Sequence, residues 1–251
     1  MQKSFTVALS AMLVLVLSVG ASAEIWWTHA YEADDIPQNE TPSWTKLTGS
    51  GDNGDPLTVS GGIATGISGA GGQGKYLLNS GWDSSTQKSV AFRVRVLDES
   101  TAGGVNPRAF RIDFVIAGNS GLNFIELGFD ESKVVERVNG AAVLANLDMH
   151  EFHTFYLHLD KVGGAATMYI DNDPTPINVP FSSNIDPTAA MAFFYGLGAS
   201  TEHIELDFIR WTNTGLVPYD TLVPEPASLA LMGLASLTLL RRGTRRAGRH
   251  A

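Results

Sequence analysis

The sequence predicts an all-β body, two antiparallel sheets packed as a β-sandwich or jelly roll, with an apolar helix at each terminus. Three observations carry this expectation. Short segments alternate apolar and polar residues; clusters of Gly, Asn, Asp and Pro separate them; and no helical stripe runs between Glu24 and about Leu216. A period of two puts one face on a core and the other in water. Ten or more such segments with frequent turns describe two sheets rather than helices on a sheet.

The first element is an export signal. "MQKSFTVALSAMLVLVLSVGASA" has a cationic start at Lys3, an apolar run from Phe5 to Val19, and the small residues Ala21, Ser22 and Ala23. That three-part layout predicts cleavage after Ala23 and a mature body over 24–216. The aromatic residues Trp26, Trp27, Tyr31 and Trp44 follow at once, and are expected to clamp the first strand onto the core.

The strands come next. "SVAFRVRVLD" puts Val90, Phe92, Val94 and Val96 on one face and Arg93 and Arg95 on the other. "AFRIDFVIA" sets Phe110, Ile112, Phe114 and Ile116 against Arg111 and Asp113. "FHTFYLHLD" puts His153, Phe155, Leu157 and Leu159 on one side, and "HIELDFIRW" points Ile204, Leu206 and Phe208 inward. Between them "SGAGGQG", "TAGGVNP", "KVGGA" and "DNDPTP" supply the positive φ of Gly and the fixed φ of Pro that corners need. Residues 217–223 read as a linker.

Charge narrows the partners. All 26 acidic residues lie between Glu24 and Glu225, whereas six of the 17 Lys and Arg lie outside that span. The remaining 11 leave the span from Glu24 to Glu225 at −15, which repels nucleic acid and anionic lipid. Cysteine is absent, so disulfides and thiol catalysis are absent with it.

The C-terminus has its own grammar. Pro224-Glu225-Pro226 precedes an apolar run from Ala227 to Leu240, then Arg241-Arg242 and a basic end over residues 224–251. This order resembles the PEP-CTERM sorting signal of exported bacterial proteins. The resemblance implies an exosortase-type transpeptidase as partner, and delivery to the cell surface or an extracellular matrix. The arginines are expected to stay cytoplasmic, with 227–240 as a transmembrane segment before processing. At about 1.5 Å per residue the run is about 21 Å long, short of a hydrocarbon core of about 30 Å. It spans only with thinning of the bilayer or snorkelling of the arginines.

The body carries a looser likeness. "EFHTFYLHLDKVGGAATMYIDNDP" and "FFYGLGASTEHIELDFIRW" resemble the concanavalin A-like jelly roll of lectins, laminin-G-like modules and certain β-glucanases. Asn172 stands where that pattern usually has Gly. Glucanases of that fold use a Glu-x-Asp-x-x-Glu strand, whose alternation puts a nucleophile and a proton donor on one face. Here Glu205 and Asp207 are the alternative catalytic pair, but Arg210 replaces the last Glu, and the strand follows rather than precedes the His-Thr strand. Glu126 and Asp130 have the wrong spacing. A non-catalytic structural or adhesive module is expected.

Four residues are the expected ligand contacts. Arg93, Arg95, Arg111 and Asp113 line a solvent face if their strands pair, and guanidinium and carboxylate groups hydrogen-bond sugar hydroxyls. Trp82 or Tyr169 would stack on a ring, with extracellular polysaccharide as the partner. For metal, "GDNGDP" groups Asp52, Asn53 and Asp55, oxygen ligands suited to calcium. An EF-hand would need Glu where Ile63 stands. Asp171 and Asp173 are read as turn residues, and alternation sends His153 and His158 to opposite faces. No other cofactor is expected.

Overall fold

The computed structural model describes residues 27–48, 56–68, 72–78, 80–82, 87–99, 109–118, 121–136, 141–160, 165–171, 173–180, 191–196, 202–217 and 219. The signal and sorting segments and Asp52, Asn53 and Asp55 lie outside them. No helix among the described residues is long and apolar enough to cross a membrane. Packing divides the chain into two units, Met1–Val217 and Pro218–Ala251.

In chain order the strands of the first unit are β1 (His29–Tyr31), β2 (Trp44–Lys46), β3 (Thr58–Ser60), β4 (Ile63–Ser68) and β5 (Gly74–Leu78). Then come β6 (Gln87–Glu99), β7 (Phe110–Gly118), β8 (Gly121–Phe129), β9 (Lys133–Glu136) and β10 (Ala141–Ala145). The last are β11 (His153–Asp160), β12 (Ala165–Ile170), β13 (Asp173–Val179), β14 (Met191–Tyr195) and β15 (Glu202–Thr212). Eight form one sheet in the order β13-β12-β11-β6-β15-β4-β3, with β1 also pairing β15; seven form the other, β10-β9-β8-β7-β14-β5-β2. Every pairing is antiparallel. The expected sandwich is therefore what the chain folds into.

The inward rows are those the alternation predicts. Val90, Phe92, Val94 and Val96 of β6, Phe110, Ile112 and Phe114 of β7, and Phe155, Leu157 and Leu159 of β11 are all fully buried. Phe92 joins the layers, its ring within 6.4 Å of Phe110, Phe114, Phe129 and Phe155. Two of the early aromatics clamp the entry: Tyr31 and Trp44 are buried, and both meet Phe193 of β14, while Trp26 lies outside the described residues. Trp82 is committed to packing rather than left to stack on a ligand. It lies on Phe114, and its indole donates to the Val115 carbonyl at 2.7 Å.

Two irregularities set the outer surface. Along β15 the register passes from Leu206 opposite Val94 to Phe208 opposite Arg93, leaving Asp207 as an extra residue. Such a bulge turns two successive residues toward one partner and reverses the alternation beyond it. Phe208 is therefore half-buried on the outer side, while Ile209 and Trp211 take the core positions. The expectation that Phe208 faces inward fails at that residue. At the sheet margin, β13 exposes Asp173 to Pro176, and both Pro174 and Pro176 lie in that edge strand.

Candidate functional site

The four expected ligand residues do not share a surface. β6 belongs to the eight-stranded sheet and β7 to the seven-stranded one, so Arg93 and Arg95 lie on the outer face of one layer, and Arg111 and Asp113 on that of the other. The sequence expectation required β6 and β7 to pair. They face each other across the core instead, because both inward rows are needed to fill it.

On the eight-stranded sheet, pairing brings Arg93 and Arg95 to Glu205 and Asp207. Arg95 meets Glu205 directly across β6 and β15, with Nη2 2.6 Å from Oε2. The bulge lets Asp207 reach Arg93, whose Nη1 lies 2.6 Å from Oδ2. Both guanidinium groups stack on one ring, that of Phe152, at 4.7 and 4.6 Å from its centroid. Arg210 repeats the arrangement. Its Nε and Nη2 donate to the two oxygens of Glu32 at 2.6 Å each, and its guanidinium stacks on Phe208 at 4.1 Å. Tyr156 and Tyr169 extend this face over β11 and β12 as a cross-strand pair. Burial pushes the Tyr156 phenol above its ordinary value, with Arg210 and Arg93 pulling the other way. The ladder thus alternates donors, acceptors and flat rings, and Arg93 retains 40% side-chain exposure.

The second group is more enclosed. Arg111 donates to both oxygens of Asp113, at 2.8 and 2.6 Å, and its Nε lies 3.0 Å from Glu126. Its guanidinium and the Lys75 ammonium both contact the Phe194 ring, at 4.3 and 4.8 Å. Burial acts to lower the Arg111 pKa, but the hydrogen bonds and charge of Asp113, with the charge of Glu126, raise it overall. Phe194 and Asp113 lie outside the core cluster yet are only 3% and 6% exposed. A polymer has little access to either, so the open ladder is the better candidate surface.

Glu205 and Asp207 do share a face, but each is closed onto its own arginine. A glycosidase pair needs one carboxyl free to donate a proton and another to attack or activate water. Asp130 is likewise occupied: its Oδ1 accepts from the backbone of Ser132 and Lys133, each at 2.8 Å. No group of three or more His, Asp or Glu able to hold a metal ion occurs among the described residues.

The His-Thr and Tyr-Ile-Asp text makes a structural clasp. Asp171, at φ +52, takes the backbone N–H of Thr154 at 2.8 Å, and its other oxygen lies 2.7 Å from His153 Nδ1. His153 Nε2 lies 2.9 Å from the Asp148 carbonyl. His158 is on the opposite face, its ring edge-on to Tyr169. Sequence reasoning missed Phe152, Glu32 and Arg210 as members of the ladder. Glu32 and Arg210 are 178 residues apart, and only the pairing of β1 with β15 unites them.

Comparisons with known proteins match the tail and the body separately. A profile of the PEP-CTERM protein-sorting motif matches residues 222–246. The chain therefore carries that signal, as Pro224-Glu225-Pro226 and Arg241-Arg242 predict. No match is found among curated proteins. Among solved structures, the body is similar to a sialidase at TM-score 0.48 and 11% identity, covering 72% of this chain but only 18% of that one. It is also similar to a β-1,3-glucanase from Mycobacterium marinum (TM-score 0.46, 12% identity, 74% of this chain and 98% of that one). The exoplasmic/lumenal domain of VIP36, in a form bound to Ca2+ and Man3GlcNAc, scores 0.44 at 8% identity, over 76% of this chain and 92% of that one.

Proposed function

We propose that this protein is an exported, non-catalytic β-sandwich that associates with extracellular polysaccharide. The observation that carries the reading is the sorting motif at residues 222–246. In this reading the N-terminal signal is removed after Ala23 and the 227–240 segment holds the precursor in the inner membrane. An exosortase-type transpeptidase then processes the tail, leaving the protein at the cell surface or in the matrix.

The polysaccharide contact is the outer face of the eight-stranded sheet. Arg93, Arg95 and Arg210 are matched there by Asp207, Glu205 and Glu32, so these three pairs present donors and acceptors with no net charge. That balance favours neutral sugar hydroxyls over a polyanion, which the acidic body repels. Arg111 and Asp113 are left as packing charges, and the Asp52–Asp55 loop as a candidate calcium contact.

Pull-down of the exported protein with extracellular polysaccharide, together with a glycan array, tests the reading. Retention that falls at least several-fold in the double variant Arg93→Ala/Arg95→Ala supports it. Absence of binding to any glycan or to the matrix overturns it. Release of reducing ends from β-glucans, abolished by Glu205→Gln, would instead identify a hydrolase.

A further inference from the structure

A lysine is sealed into the interior at one end of the sandwich. Lys88, the second residue of β6, is fully buried. Its Nζ donates to Asn213 Oδ1 at 2.8 Å and lies 4.6 Å from the Trp82 ring centroid. Asn213 directly follows β15, whose last pair is Thr212 with Ser89, so the register sets the two side chains next to each other. The amide is held from its far end as well. Its Nδ2 donates at 2.9 Å to the Gly81 carbonyl, which also receives the Trp211 indole at 2.7 Å. The carbonyl edge of Asn213 is thereby turned toward the amine.

An amine attacks through its nitrogen lone pair, so the form of Lys88 that reacts is the neutral amine. We infer that Lys88 and Asn213 are the two halves of an intramolecular isopeptide bond linking β6 to the end of β15. The Nζ lone pair attacks Asn213 Cγ, the Cγ–Nδ2 bond breaks, an amine proton passes to the departing nitrogen, and ammonia leaves. Atoms and charge balance without oxidant or cofactor. The fold supplies proximity, since the reacting groups are held at hydrogen-bond distance in one orientation. A chain without cysteine has no disulfide to restrain it. This bond joins residues 125 positions apart, a long loop whose closure strongly restricts the unfolded chain.

Mass spectrometry of the exported protein, with its two ends mapped by peptide sequencing, tests the inference. The expected result is a species lighter by one ammonia than its sequence, giving on proteolysis a branched peptide that joins Lys88 to Asn213. Lys88→Arg keeps a long nitrogen-bearing side chain but cannot make this amide, and is expected at its unmodified mass with a lower Tm. Where that variant does not fold, the peptide map of the wild type still decides. Recovery of Lys88 and Asn213 in separate, unmodified peptides overturns the inference.

Discussion

Arg95 and Glu205 close on each other across β6 and β15, 2.6 Å apart, with the guanidinium stacked on Phe152. The side chains are 30% and 17% exposed, so water screens part of the attraction. A double-mutant cycle with Arg95→Ala and Glu205→Ala is expected to give a coupling of about 0.2–1 kcal/mol. Denaturant titration of the four proteins measures it. A coupling of zero would mean that the ladder adds no stability at this rung.

Phe92 should be among the most costly residues to truncate. It is fully buried and touches four phenylalanine rings from both sheets. Phe92→Ala is expected to lose about 3–5 kcal/mol, through lost burial plus the cavity left behind. Urea unfolding followed by tryptophan fluorescence reads the change directly.

Gly74 has a steric rather than a conformational reason to be glycine. A Cβ at this position of β5 would enter the Tyr195 ring, which is fully buried and has no room to swing away. Gly74→Ala is expected to destabilise the fold by about 1–3 kcal/mol through overpacking. Gly62 makes a useful control, with open space around its Cβ position but φ +78. Its alanine variant isolates backbone strain from crowding when the two Tm values are compared.

Burial holds His158 below its ordinary value, with a hydrogen bond to the Val217 backbone working the other way. Its Nε2 is buried with no hydrogen-bond partner, so a proton placed there is poorly solvated. The unfolded chain therefore binds this proton more readily than the folded one. The neutral ring's contribution is complete above an unfolded value of about 6.5 and is lost as pH falls through that value toward the lower folded one. Thermal melts from pH 8 to pH 5 should show a fall in Tm that His158→Gln flattens. Equal slopes in the two proteins would locate the pH sensitivity elsewhere.

Period-two alternation made the core rows legible, because one buried face leaves a local signature in each strand. Phe208 was misplaced because a bulge depends on the partner strand, and nothing within "HIELDFIRW" marks Asp207 as the extra residue. The site was less legible for a related reason. Arg93, Arg95, Glu205 and Asp207 could each be picked out as outward charges, but which charge meets which depends on β15 lying between β6 and β4. Arg111 and Asp113 carry the same local pattern as Arg93 and Arg95. Their place on the opposite layer follows from β7 pairing with β8 and β14 rather than with β6, which no local pattern shows.

The two prolines of β13 have a consequence for the company this protein can keep. A margin strand normally holds out amide hydrogens on which a neighbouring chain can settle, and repetition of that step makes a fibre. Pro174 and Pro176 have no such hydrogen to offer, and Asp173 adds a negative charge beside them. Crowded copies are thereby denied one route to uncontrolled stacking and remain individual particles along that border.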